Sequence, residues 1–409
     1  METGHTPSRK KPEYWGGDIP WIGIKDATGN HGRIIFETLQ TTNELGIANS
    51  SARVLPAGTV CLSRTASVGY VLVMGRPMAT SQDFVNWVCG EDLNPHFLKY
   101  LLLAERESLD VYATGSVHQT IYFPEVKAFH ICMPTRDEQD RIVEALGTLD
   151  EKIELNRRMN ETLEAMARAL FKDWFVDFGP VRTKQAGAPA YLAPEIWDLF
   201  PADLDDEGLP LGWREGVLAD LAMAKNEKAD PTAIDSATPY IGLEHMPRHS
   251  IALDQWEPAA KVTSSKSRFS AGDILFGKLR PYFHKVGVAP VSGVCSTDIV
   301  VVRGRESHDQ GFVAACLSSD DFVAYTDRTS TGTKMPRTSW KIMAQYPVVL
   351  ADARVRQTFN ELCSPPIERI SANIAENRTL AALRDLLLPK LMSGDIRVQD
   401  AEKDVEAAL

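Results

Sequence analysis

The stretch that decides the fold is residues 136–178, RDEQDRIVEALGTLDEKIELNRRMNETLEAMARALFKDWFVDF. Ile142, Leu146, Leu149, Ile153, Asn156, Asn160, Leu163, Ala167, Leu170 and Trp174 follow one another at alternating steps of four and three residues. That spacing is a heptad seam, one narrow stripe suited to another helix. The flanks carry Glu144, Asp150, Glu151, Lys152, Arg157, Arg158 and Glu161, read as a solvated face.

A second stretch repeats the phase less regularly through Phe359, Ile370, Asn373, Asn377, Leu380, Leu387 and Leu391. Pro365-Pro366 interrupts its early part, so this helix is expected to start just after them. Both seams carry two asparagines at the same phase. A polar pair on an apolar seam is tolerated when it satisfies itself and fixes register. Asn156, Asn160, Asn373 and Asn377 are therefore candidate register-setting residues. In an antiparallel pair Asn156 would face Asn377 and Asn160 would face Asn373; the alternative is that each sits at a wet edge.

The helices are part of a larger repeat. Pro20-Trp21-Ile22-Gly23 recurs as Pro239-Tyr240-Ile241-Gly242, Ala57-Gly58-Thr59-Val60 as Ala271-Gly272-Asp273-Ile274, and Thr114-Gly115 as Thr331-Gly332. Asn160, Thr162 and Leu163 recur as Asn377, Thr379 and Leu380, all at an offset of about 217 residues. Each half opens with short strand-like runs, such as 59–63, 70–74, 273–277 and 298–303, and closes with a long helix. Residues 179–208, rich in Pro, Gly and Asp, read as a linker.

With 409 residues, the chain is too long for one core. Its 44% hydrophobic and 24% charged residues are ordinary for a globular protein. No apolar run approaches the ~20 residues of a membrane span, and residues 1–11 are polar, so no export signal is expected. Cys61, Cys89, Cys132, Cys295, Cys316 and Cys363 are scattered without a Cys-x-x-Cys pair, which argues for idle thiols in a cytoplasmic protein. The nine histidines show no metal-ligand spacing, so no metal site is expected. A net charge of −11 argues against a general nucleic-acid coat but not against binding on small faces.

Several strings resemble the specificity subunit of type I restriction-modification enzymes, and the resemblance covers nearly the whole chain. They are Phe171-Lys172-Asp173-Trp174-Phe175-Val176-Asp177-Phe178, Leu387-Leu388-Pro389-Lys390-Leu391-Met392-Ser393-Gly394, Trp15-Gly16-Gly17-Asp18-Ile19-Pro20-Trp21 and Leu209-Pro210-Leu211-Gly212-Trp213. The resemblance implies an α/β (α+β) fold in which two duplicated target recognition domains are separated by two long helices forming an antiparallel coiled coil. Each recognition domain would read one half of a split double-stranded DNA site. Two methyltransferase subunits and endonuclease/translocase subunits would be the partners, and S-adenosylmethionine, ATP and magnesium would be theirs, leaving this chain without a cofactor. The expected boundaries are 1–135 for the first recognition domain, 136–178 for the first helical spacer and 179–208 for the linker. The second recognition domain is expected at 209–350, the second spacer at 351–394 and a polar tail at 395–409. In the second half, residues 213–223 precede the region equivalent to Thr6-Pro7-Ser8, whereas only residues 1–5 precede it in the first. The first recognition domain is therefore expected to be truncated at its N-terminus.

Catalytic motifs are missing from the residues. Asn94-Pro95-His96-Phe97 lacks the second proline of a DNA-methyltransferase motif and reads as a helix start, and Ser364-Pro365-Pro366-Ile367 lacks the stacking aromatic. No Gly-x-x-x-x-Gly-Lys-Ser/Thr loop occurs. For DNA contact, the window 261–285 holds Lys261, Lys266, Arg268, Lys278, Arg280 and Lys285 against Asp273, interleaved with Tyr282, Phe283 and His284. Cations suit phosphates, and Arg, Lys, Asn, Gln and hydroxyls suit base edges; a basic surface strand pair or an ion-paired Arg280 is the bland alternative. Ser63 and Arg64 occupy the aligned place in the first half. A second candidate pair is the loop with Ser116, His118 and Gln119 and the aligned loop with Lys334 and Arg337, which could instead pack domains together. The reading is a non-catalytic DNA-recognition subunit. The rival readings are a stand-alone DNA methyltransferase with a diverged active site and a non-specific coiled-coil scaffold.

Overall fold

The computed structural model describes residues 1–65, 67–112, 120–128, 133–332 and 334–409. The chain divides into two compact units, residues 1–151 with 380–409, and residues 152–379. Both long helices, Arg136–Phe175 and Ala353–Ser393, contribute a segment to each unit.

In the first unit, a sheet places Glu2–Thr3, Phe84–Trp87, Val60–Ser63, Val71–Met74 and Ile34–Ile35 side by side. A smaller sheet pairs Trp15–Ile22 antiparallel with Thr41–Thr42 and parallel with Ala79–Thr80. Ile22, Cys61, Leu72, Met74 and Phe84 form the core between them. These strands are buried along their length, which is why they read as short apolar runs and not as alternation.

The second unit repeats the frame. Ile274–Gly277 lies antiparallel to Val286–Val288 and to Ile299–Gly304, as Val60–Ser63 does to Val71–Met74 and Phe84–Trp87. Pro239–Ile241 runs parallel to Gly293–Cys295, as Trp15–Ile22 does to Ala79–Thr80. The duplication reaches single hydrogen bonds. Ser81 N donates to Ile22 O and Ser296 N to Ile241 O, both at 2.9 Å. The recurrent Ala-Gly pair has a physical cause: Gly58 and Gly272 have φ of +78° and +84°, a left-handed turn that a side chain would strain. Their amides close the turns onto Met74 O and Ala289 O, at 2.7 and 2.8 Å.

Each unit holds its two helix segments antiparallel. In the second, Asn156 Nδ2 donates to Asn377 Oδ1 at 2.9 Å and to Glu376 Oε2 at 2.8 Å, and Asn373 Nδ2 donates to Asn160 Oδ1 at 2.8 Å. The seam residues Ile153, Asn156 and Asn160 are buried. In the first unit Asp150 accepts from Lys99 Nζ (2.9 Å), Tyr100 Oη (2.7 Å) and Arg384 Nη1 (2.9 Å).

The string at 171–178 is the aromatic anchor of the second unit. Phe171 and Phe175 meet Phe312 with ring centroids 5.1 and 4.9 Å apart, Phe175 meets Phe359 at 5.0 Å, and Trp174 meets Phe200 at 4.9 Å. Phe178 follows the helix in the left-handed region, with φ 54°, and is buried beside Trp213. At the end of the other long helix Gly394 takes φ +78° and the Ile396 amide bonds back to Lys390 O, the usual glycine stop.

Four expectations are corrected. The second long helix does not start after Pro365-Pro366 but runs through them from Ala353. The two prolines remove donors to the carbonyls of Glu361 and Leu362, both exposed and open to water, while Phe359, Cys363, Ile370 and Ile374 on the opposite face are buried. Packing of that face outweighs the roughly 3 kcal/mol that an interior proline costs. The segment 179–208 is not a bare linker: Gly179–Gln185 and Pro194–Trp197 are helical, and Val181 and Phe200 are buried in the aromatic cluster. The tail 395–409 is not merely polar, because Val398–Ala408 is a helix burying Val398, Ala401 and Val405. Asp150 and Lys152 are not solvated flank charges; Asp150 centres the cluster above and Lys152 pairs with Glu376 at 3.2 Å.

Candidate nucleic-acid interface

The second unit brings together two loops that lie far apart in the sequence. Ile274–Gly277 runs into the loop of Lys278, Arg280 and Tyr282, and the loop holding Lys334 and Arg337 folds onto it. Leu279 bridges to Arg337 in antiparallel fashion, Arg280 N donates to Pro336 O at 2.7 Å, and Thr338 N donates to Lys278 O at 3.0 Å. The site is one surface built from both candidate loops.

Its side chains differ in availability. Tyr282 is 47% exposed and packs edge-on against Phe283. Lys334 is exposed. Arg337 reaches Asp298 at 2.6 Å, so its cation is held in place with about half the side chain open. Arg280 has φ 51° and lies near the Phe283 ring, 5.9 Å from its centroid, with its Nε buried and unpartnered. Lys278 is half-buried; desolvation and the neighbouring Arg337 push its ammonium below the ordinary lysine value, against the pull of Asp298. A cation that is partly desolvated and waiting beside others of its sign is suited to an anionic partner.

The wider basic window does not form one face. Lys266 is on a strand of the other sheet, buried, donating to Ser264 and standing 5.6 Å from the Tyr240 ring. Lys285 donates to the Leu243 carbonyl. The reading from the residues missed Arg248, exposed and stacked 4.1 Å over Phe283, and Asp298, which orients Arg337. Arg248 lies outside the basic window and only the fold brings it there.

The first unit repeats the scaffold of this site. Arg64 N donates to Asp83 O as Lys278 N does to Asp298 O, both at 2.8 Å, and Ile121 N donates to Arg64 O as Thr338 N does to Lys278 O. Thr65 bridges to Thr120. The side chains, however, turn inward. Ser63 is fully buried, donating to Ser67 O and accepting from Tyr70 N, so it closes a turn and is withdrawn as a DNA contact. Arg64 donates to Gln82 O at 3.1 Å and lies 5.1 Å over the Phe123 ring. Ser116, His118 and Gln119 lie outside the described residues.

One cluster was illegible from spacing. His249, His284 and Asp320 place one ligand atom each within 4.8 Å of the others, although the histidines are separated by dozens of residues in sequence.

Comparison with known proteins agrees with the frame. Residues 1–165 match the model of the type I restriction modification DNA specificity domain. The chain is 26% identical to the type I restriction enzyme MjaIX specificity subunit of Methanocaldococcus jannaschii, over 97% of this chain and 91% of that one. It is 24% identical to the HindI specificity subunit of Haemophilus influenzae, over 74% of this chain and 77% of that one. In fold it is similar to the S subunit of a type I restriction-modification system from M. genitalium, with a TM-score of 0.52 and 16% identity across 95% of this chain and 92% of that one. Over nearly its whole length the chain is thus similar to specificity subunits of type I restriction enzymes, and residues 1–165 match the DNA specificity domain of that family.

Proposed function

We propose that the chain reads a bipartite double-stranded DNA target for a type I restriction-modification complex, one half-site per unit. The observation that carries this is the repeated loop scaffold, in which Lys278 and Arg64 hold equivalent backbone positions beside a second loop. A duplicated reader fits a target in two parts, as paired readers fit paired half-sites elsewhere. The site offers fixed cations, an exposed aromatic and open backbone turns, the equipment for phosphate contact and base-edge readout. Methyl transfer and cleavage would then belong to methyltransferase and endonuclease/translocase subunits docked on this chain, which acts without a cofactor for those reactions. No described helix is long and apolar enough to cross a membrane.

The paired asparagines support a further element, a fixed register between the helices. The Oδ1 atoms of Asn156 and Asn373 are buried without a partner, so the ladder is not optimised for stability. A polar seam that gives up stability suits register specification.

Selection from a random DNA library, by the chain assembled with its methyltransferase subunits, tests the reading. The expected result is two short fixed blocks separated by an unspecified spacer of constant length. Absence of any sequence preference would favour the scaffold reading. Binding of S-adenosylmethionine by the pure chain would favour the methyltransferase reading.

A further inference from the structure

We infer that His249, His284 and Asp320 form a site for a divalent transition-metal ion of the zinc type, which fastens the back of the second unit's DNA-reading loop. The cluster lies immediately behind that loop, since His284 follows the Pro281–Phe283 turn that carries Tyr282. The three ligands come from three separate places: the segment preceding Ile251, the loop end at His284, and the first residue of the helix Asp320–Arg328.

The protonation pattern is the main argument. His284 Nε2 lies 3.0 Å from the Ser318 carbonyl oxygen, which can only accept. That bond puts the proton of the neutral ring on Nε2 and leaves the Nδ1 lone pair facing the Asp320 carboxylate, 3.4 Å from its Oδ1. With the ring neutral, two lone-pair atoms at that distance call for a cation between or beside them; a second ring proton is the only other way to satisfy the contact. A histidine whose far nitrogen is tied to a backbone carbonyl is the arrangement that orients metal-bound imidazoles. The separation fits as well. Ligand bonds of about 2.0–2.1 Å in a tetrahedron put neighbouring donor atoms roughly 3.3–3.4 Å apart. His284 and Asp320 already stand at that spacing, and the exposed side chains of His249 and Asp320 are free to close the remaining gap. The backbone is committed to the arrangement: His249 and His284 both take left-handed φ, 56° and 51°, and His249 N donates to His284 O at 3.0 Å. Water or a partner group would take the fourth position.

The duplicate in the first unit supplies the control. His31 precedes its strand-pairing residue Arg33 by two, as His249 precedes Ile251, and Gly69 stands at the place of His284 with φ +82°. Arg106 opens the helix Arg106–Tyr112 as Asp320 opens its own. The Arg106 guanidinium lies 3.3 Å from Gly69 O and 3.5 Å from His31 Nε2. There the fold carries its own cation at the junction. In the second unit an acid replaces that arginine and a second imidazole replaces the glycine; the resident cation there, Arg168, reaches the His249 carbonyl at 3.4 Å and leaves the His284 Nδ1–Asp320 gap to an added ion.

The test uses the full chain, stripped with chelator, and titrates it with cobalt(II) and then zinc(II). The expected result is one equivalent of cobalt taken up at micromolar concentration with visible ligand-field bands of tetrahedral intensity. Zinc should displace it and raise the melting temperature. Asp320→Asn and His249→Asn, both exposed positions and the second suited to left-handed φ, should fold normally yet lose the bands and the zinc-dependent shift. A chain that takes up no cobalt or zinc, or variants that bind like the parent, would overturn the inference and leave an imidazolium–carboxylate pair in its place.

Discussion

The two units share strand order, turn glycines and backbone bonds, but not the chemistry placed on them. At the reader position the first unit lays Arg64 inward over Phe123 and buries Ser63, while the second displays Tyr282, Lys334 and the Asp298-held Arg337. Between the helix segments the first unit uses charge, with Asp150 among Lys99, Tyr100 and Arg384, and the second uses an amide ladder edged by the Glu376 carboxylate. The difference teaches that a duplicated frame is held by features with one physical solution, such as a left-handed glycine or a buried β-branched strand. Polar sites on that frame are free to diverge, even at the cost of unpartnered buried atoms such as the Asn156 and Asn373 oxygens.

The largest effect should come from the anchor peculiar to the second unit. Truncating the fully buried Trp174 to Ala should cost about 3–5 kcal/mol, against roughly 2–4 kcal/mol for Leu387→Ala in the first unit. Chemical denaturation with a probe in each unit should show the first substitution loosening the second unit preferentially; equal loss in both would break the distinction between them.

The charge cluster of the first unit should rank next. Burial raises the Asp150 carboxyl, but Lys99 and Arg384 outweigh it and hold the group below the usual aspartate range. Its folded value is depressed, so its contribution is fully present above the unfolded value near ~4 and is lost as pH falls through the folded value. Asp150→Asn leaves Lys99, 5% exposed in its side chain, without its counter-charge and should cost roughly 3–5 kcal/mol at neutral pH. The penalty should begin to shrink below pH ~4 and vanish as pH falls through the depressed folded value, where the parent loses the same charge; melts across pH check this, and a penalty independent of pH would show that the cluster stabilises by shape alone.

The amide ladder should respond differently. Asn160→Leu alone leaves the Asn373 amide buried and unpaired and should cost about 1–3 kcal/mol. Adding Asn373→Leu should recover much of that loss, because the buried unpartnered Asn373 oxygen disappears with it. The double variant should also tolerate a target whose spacer differs by one base pair. Additive losses with unchanged spacer choice would remove the ladder from register control.

A smaller, local effect is expected at the second reader. Arg280→Ala or Tyr282→Ala should weaken binding by roughly 1–3 kcal/mol and relax preference within one block of the target. Arg64→Ala should act first on stability, since its side chain lies on Phe123 and the Gln82 carbonyl; a loss of base preference with intact stability would show that the inward position is not the one used on DNA.

Much of this frame was legible beforehand. The heptad steps located the first long helix, and the facing of Asn156 with Asn377 followed from equal phase and antiparallel sense. The repeated Ala-Gly pair marked equivalent turns because left-handed φ leaves little choice of residue. What escaped depended on tertiary packing. Pro365-Pro366 is a strong local stop that a buried helix face overrides, and Phe200 reads as linker until the aromatic cluster is assembled around it. Basic residues in one window proved to lie on two sheets, since the turn at Gly272 carries the chain from Lys266–Phe269 in one sheet to Ile274–Gly277 in the other. The His249–His284–Asp320 cluster has no sequence period at all.

The central claim is that the two units read DNA independently. It is tested most directly by replacing residues 1–135 with those of a relative of different target and sequencing the methylated sites of cells carrying the exchanged chain with its partner subunits. The expected target is changed in one block, with the other block and the spacer length unchanged. A change in both blocks together, or none in either, would contradict it.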